Sequence, residues 1–361
     1  MREEKVTARA LGGLVYCGLL APMFRVVPGS WSEDAKQGGW VPPLLALPLL
    51  LGVTAILLGA CRRLPEGAGL PRLYTLAFGG KAGGAVTVIT GLWAIVVSAA
   101  ALRYYSESII ASVYQDTSVW IFLLGAMALV WRACDLGMGA ISRMAGVYLY
   151  IIGGALLLLV ALSLPDLRLY HLWPFWTGGW QGMAKGALPV LGVEAPMLLL
   201  LLGRTEPYKE PEGGKKLLLW LTASALTMTA LRVVVIGMFG WQTAARLQIP
   251  LFSAAKEIYL LEVFERIEAL VVAVWVLSDV VWIAGLTAVS QDYIRFGTKR
   301  RGGRWLLTGV VVLTIALAQW ESGNAAAVRS IMLNRLQYVN LAVCYLLPLT
   351  GAAVAKIRGQ I

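Results

Sequence analysis

The sequence predicts an all-α integral membrane fold of about ten transmembrane helices, and three observations carry that expectation. Apolar runs of about 20 residues recur from end to end, each near the length a helix needs to cross ~30 Å of hydrocarbon. Hydrophobic residues make up 58% of the 361 and charged residues only 14%, a balance that excludes an ordinary soluble domain. Lys and Arg are concentrated in alternate loops, the asymmetry that fixes membrane orientation.

The spans fall at 8–28, 40–60, 84–104, 118–134, 142–163, 182–202, 217–240, 262–288, 304–320 and 336–356. They read as a single transmembrane domain over 1–361, divided into a first five-helix half (8–163) and a second (182–356). With both termini in the cytoplasm, the inner loops hold Arg62, Arg63, Lys215, Lys216, Arg300 and Arg301, whereas the outer side receives only Lys36, Arg168, Lys185, Arg246, Lys256, Arg329 and Arg335. The net charge of +11 is thereby assigned to short loops facing anionic headgroups, and nucleic acid is not expected as a partner.

Taken in order, the first span has no small-residue cleavage site and leads straight into the second, so it reads as a retained helix. Its stretch "GLLAPMFRVVPG" (18–29) contains Pro22 and Pro28, each lacking a backbone donor, and predicts an interrupted helix. Arg25 beyond it either snorkels outward or closes the outer path against Glu33. "GGKAGG" (79–84) lacks the Lys-Ser/Thr ending of a phosphate loop and reads as a short inner loop. The third span ends in "RYYSES" (103–108), where Arg103 and Glu107 stand one turn apart; they form an outer gate or belong to an interfacial aromatic belt. The outer segment "HLWPFWTGGW" (171–180) reads as a lid or a lipid-facing anchor.

The sixth span, "GALPVLGVEAP" (186–196), again combines Gly and Pro and adds Glu194. Matched interruptions at the start of each half point to an inverted-repeat solute site, where exposed half-helix ends hold both charges of a zwitterion. The candidate ligand contacts are Gly18, Ala21, Pro22 and Met23 in the first span and Gly192 and Glu194 in the sixth. Glu194 either meets a ligand ammonium or caps the half-helix.

The eighth span carries Glu265, Arg266 and Glu268 at its outer mouth, and Asp279 in the middle of the apolar stretch 269–289. An aspartate at that depth costs on the order of 3 kcal/mol. At 100° per residue, Asp279 lies within about 20° of Glu268, so a stripe through Trp275 should face the bundle interior. Asp279 is either a proton-linked acid or a neutral acid donating one hydrogen bond.

Three stretches resemble the spore germination permeases, the B subunits of nutrient germinant receptors, within the amino acid/polyamine/organocation superfamily. They are "DAKQGGWVPPLLA" (34–46), "GVEAPMLLLLLG" (192–203) and "FERIEALVVAVWVL" (264–277), and the length and ten-span layout match along the whole chain. The resemblance implies a LeuT-like five-plus-five inverted repeat with broken helices 1 and 6, in the inner membrane of a spore. It also implies sensing of a small nutrient such as an amino acid alongside A and C subunits. A proton-coupled amino acid transporter and a structural membrane partner are the other readings. Glu268, Asp279, Arg103 and Glu107 are the candidate gating or proton-linked residues. Nothing reads as an enzyme, cofactor or metal site: the four cysteines form no close pair, and there is one histidine.

Overall fold

The computed structural model describes residues 6–25, 33–65, 69–114, 116–203, 206–247, 249–257, 267–299, 303–320 and 325–361, and these are helical nearly throughout. Each expected span falls on a helix or helix pair. The main helices are α1 (Ala8–Arg25), α2 (Pro42–Arg62), the short α3 (Leu70–Phe78), α4 (Gly80–Ser112), α5 (Val119–Leu136) and α6 (Met138–Ser163). Then follow α7 (Gly179–Glu194), α8 (Met197–Leu201), α9 (Gly213–Arg246), α10 (Pro250–Glu257), α11 (Ile267–Thr298), α12 (Arg304–Trp320) and α13 (325–357). Among the described residues, 7 helices are long and apolar enough to cross a membrane, with Ala8–Leu20 and Arg304–Trp320 as shorter apolar helices. The expected sixth span is the α7/α8 pair.

Glycines set several boundaries. Gly79 (φ 87) and Gly137 (φ 92) turn α3 into α4 and α5 into α6 across a single residue, in a backbone region that side chains other than hydrogen rarely tolerate. "GGKAGG" is therefore a turn at Gly79 followed by the first turn of α4, not the expected loop. Gly84 permits the crossing with α11, because a Cβ there would stand 3.1 Å from the Gly297 carbonyl oxygen. Gly240 (φ 72) kinks α9, at the residue where the seventh span was expected to end.

The core lies along α4 and α11. Of their most apolar windows, 61% and 67% are buried, against 28% for α5 and for the α6 span. Small residues allow the close approach that drives helix association in lipid: besides Gly84, Gly91 of α4 lies against Tyr293, Ile294 and Ser290 of α11. In α5 and α6 the exposed side chains include Ile121, Leu129, Tyr150 and Leu157, as a lipid-facing surface requires.

The connections around residues 34–41 and 164–182 pack on each other. A Cβ on Gly38 would collide with the Phe175 carbonyl, and one on Gly178 or Gly182 with Asp34 or Ala35. Gln37 Nε2 donates to the Trp173 carbonyl at 3.3 Å, and Trp40 meets Phe175 with ring centroids 5.8 Å apart. From α9, the buried Arg232 donates its Nε to the Gly39 carbonyl at 3.3 Å. The aromatic segment 171–180 thus covers the 36–40 turn, while Trp173, Trp176 and Trp180 remain exposed.

Candidate functional site

The site grows from two prolines. In an α-helix each carbonyl accepts from the N–H four residues on, so a proline leaves the carbonyl four residues before it without that donor. Pro22 strips the Gly18 carbonyl and Pro196 strips the Gly192 carbonyl. Both orphans are approached from the second half of the chain, the Gly18 carbonyl at the edge of hydrogen-bond reach and the Gly192 carbonyl at full bonding distance. Ser278 of α11 donates its hydroxyl to the Cys17 carbonyl and lies 3.4 Å from the Gly18 oxygen. Asn340 of α13 donates its amide Nδ2 to the Gly192 oxygen at 2.9 Å.

The backbone responds differently at the two places. Through Gly18, Ala21, Pro22 and Met23 the chain stays α-helical, with Pro22 inside α1. The interruption expected over 18–29 is thus not found within 18–25; residues 26–32 and the side chains of Ala21 and Arg25 lie outside the described residues. Met23 is buried, and Gly18 lies against the Trp282 ring, which is 3.0 Å from where a Cβ would sit. Helix six does break. After Glu194 the Leu198 N–H bonds to the Ala195 oxygen (3.0 Å) and the Leu199 N–H to the Pro196 oxygen (3.1 Å). These i to i+3 bonds make a tightened turn, rather than a wide gap, between α7 and α8, and the Glu194 carbonyl loses its usual α-helical donor.

Beside this turn, several buried polar atoms have no hydrogen-bond partner: both carboxyl oxygens of Glu194, Oε1 of Gln337 and the hydroxyl of Tyr345. Glu194 is 1% exposed. Gly192 admits α13, since a Cβ there would lie 2.9 Å from the Gln337 Cα. Asn340 is itself oriented by Trp93 of α4, whose indole N–H donates to Oδ1 at 2.9 Å. Two π-helical turns, Met332–Leu336 and Ala342–Leu346, bracket Gln337 and Asn340 in α13. Each wider turn shifts the face that follows it, a device often found at functional sites. A buried carboxyl and neighbouring unsatisfied oxygens can accept hydrogen bonds from a cationic or amino group that reaches them.

The other expected residues sit elsewhere. Trp275 and Asp279 are fully buried in α11, so the inner part of the expected stripe faces the bundle; Glu265, Arg266 and the side chain of Glu268 lie outside the described residues. Arg103 and Glu107 pair at 2.6 Å, and Arg103 Nη1 donates to Oε1 of Gln319 on α12 at 3.3 Å. They are not at a helix end. Helix α4 continues to Ser112, and Tyr104 and Tyr105 are buried, which corrects the aromatic-belt alternative: both rings lie inside the bundle, away from the lipid interface. Reading the sequence missed Ser278, Gln337, Asn340 and Tyr345. A signal existed for the first and third, because "GLLAP" (18–22) and "GVEAP" (192–196) repeat one Gly-x-x-Ala-Pro pattern, and each orphaned carbonyl demands a donor.

Compared with known proteins, residues 15–317 match the family model described as spore germination protein. No curated protein matches the sequence. Among solved structures, the chain is similar to one reported as the substrate-bound outward-open state of a Na+-coupled sialic acid symporter, at 11% identity and a TM-score of 0.65. That match covers 99% of this chain and 89% of the other, and at such identity it establishes the LeuT-like fold alone. The family match spans most of the chain, and the protein belongs to the spore germination permease family.

Proposed function

From that membership we propose that the protein is the nutrient-sensing membrane subunit of a spore germinant receptor and binds a small zwitterionic solute, an amino acid, beside the broken sixth helix. The family and the fold establish an integral membrane permease or receptor-like protein. The observation that carries the finer reading is the Glu194 carboxyl, buried with both oxygens unpartnered at the α7/α8 turn. A carboxyl so placed is costly unless something completes it, and a ligand ammonium does so with a charge-assisted hydrogen bond. Gln337 and Tyr345 supply further oxygens beside it. The subunit works in the spore inner membrane with both termini cytoplasmic and with A- and C-type subunits as partners.

Glu194→Gln tests this reading. Losing one charge-assisted hydrogen bond should raise the nutrient concentration for half-maximal response about 10- to 100-fold, at unchanged protein level in the membrane. A parental dose curve in Glu194→Gln would reduce Glu194 to a structural cap.

The buried Asp279 in the middle of α11 favours a second reading, a proton-coupled amino acid transporter. A transporter must cycle such an acid between charged and neutral states as access alternates, whereas a sensor needs only a ligand-driven population shift. In liposomes we expect nutrient binding without accumulation under a pH gradient, and Asp279→Asn should alter stability more than uptake. Concentrative pH-driven uptake that Asp279→Asn abolishes would replace the sensor with the transporter.

A further inference from the structure

One cavity is lined by none of the residues given a role above. It is a lateral groove of about 980 Å³ between the first turns of α1, the first four turns of α6 and the side of α9. Missing side chains create it. Ala10 and Gly13 of α1 and Gly139 and Gly146 of α6 line it, and a Cβ on Gly146 would meet nothing within 4 Å. Its walls are apolar, with Val147, Leu149, Ile151 and Trp220 among them, and Val147 and Ile151 are exposed on the lipid-facing side of α6.

One end of the groove is polar. Arg9 and Arg143, both exposed, line it together with Ser142, whose hydroxyl is buried and has no hydrogen-bond partner. Among the described residues that line the groove, none is acidic. From Arg143 to Tyr150 the helix climbs about 10 Å, so cationic groups give way to apolar walls over the distance that separates a lipid phosphate from its acyl chains. The rim fits an anion and the trough fits a hydrocarbon chain.

We propose that this groove binds one anionic phospholipid, its phosphate held by Arg9, Arg143 and the Ser142 hydroxyl and one acyl chain lying over Gly146 against Trp220. This site is independent of the solute site. Because its floor is α1, which packs on α11, α7 and α8, an occupied groove ties α1 to α6.

The test uses the full chain in nanodiscs of equal phosphatidylglycerol and phosphatidylcholine, with retained lipids counted by native mass spectrometry. At roughly fivefold per arginine near the surface, two arginines should give about a 25-fold preference for one phosphatidylglycerol. Arg9→Gln with Arg143→Gln should bring that ratio near parity, whereas Lys215→Gln with Lys216→Gln, exposed charges outside the groove, should leave it unchanged. Gly146→Leu, which has room for its side chain, should expel the lipid of either headgroup. Phosphatidylglycerol with brominated chains should quench the parent more than Trp220→Phe. Equal retention of the two lipids by the parent, or an undiminished preference in the Arg9 and Arg143 variant, overturns the proposal. So does an equal loss in the Lys215 and Lys216 control, lipid retained by Gly146→Leu, or stabilisation by inorganic phosphate as large as by lipid.

Discussion

Helix α1 and the α7/α8 pair contain the same five-residue pattern and end as different backbones. "GLLAP" runs on as helix; "GVEAP" stops and tightens into a turn. The missing proline donor is common to both, so it is needed for the break but does not by itself decide between them. The surroundings do. Gly18 packs on the Trp282 side of α11 and shares a serine hydroxyl with its neighbour Cys17, while Gly192 lies against the backbone of Gln337 and receives an amide from Asn340. The matched central residues differ as well: Leu20 of α1 is an apolar core side chain, and Glu194 is a buried carboxyl without a partner. A proline in a membrane helix creates an opportunity, and the helix opposite determines whether it becomes a helical packing surface or a site.

The largest expected effect comes from erasing one side of this comparison. Pro196→Ala restores an N–H within reach of the Gly192 carbonyl and should let α7 run into α8, so the nutrient response should fall by about 100-fold or more, as loss of the turn removes several ligand contacts together. A germination dose curve within a few-fold of the parent would show that the turn is incidental to binding.

An intermediate effect is expected from the donors. Asn340→Ala leaves the Gly192 carbonyl and the Trp93 indole both unsatisfied, at a cost of about 1–3 kcal/mol for each buried group. Ser278→Ala removes one hydroxyl donor and should cost about 1 kcal/mol. Thermal unfolding of the purified variants should therefore rank Asn340→Ala below Ser278→Ala; the reverse order would place the weaker dependence at the break. The smallest effect belongs to Pro22→Ala, which gives α1 the donor it lacks at a position already helical. Its dose curve should stay within about twofold of the parent, and a strong loss would mean that α1 opens at Pro22 during function.

Much of the scaffold was legible. In their described residues all ten apolar stretches became helix, the sixth as a pair, and even the end of the seventh at residue 240 coincides with the Gly240 kink. Arg103 and Glu107 pair as their spacing suggests, yet the end of α4 was misplaced because the sequence from 103 to 112 is polar enough to resemble a membrane boundary. Half of the site was legible too, since Glu194 and Gly192 stand out as a charge and a glycine amid apolar residues. Gln337, Asn340 and Tyr345 were not, because their helix carries no unusual composition and its two π-helical turns leave no mark in residue periodicity.

By itself the sequence determined which segments enter the membrane and where their backbones lack a donor, because hydropathy and proline chemistry are properties of single residues and their near neighbours. Tertiary structure alone decided that α1 stays helical through Pro22 to Arg25 while helix six breaks. It also decided that Asn340, not a residue of the same helix, completes the Gly192 carbonyl, and that Glu194 is left without a partner. Those outcomes depend on which side chains from residues more than a hundred positions away reach each orphaned carbonyl, and such distant pairings are fixed only when the helices pack.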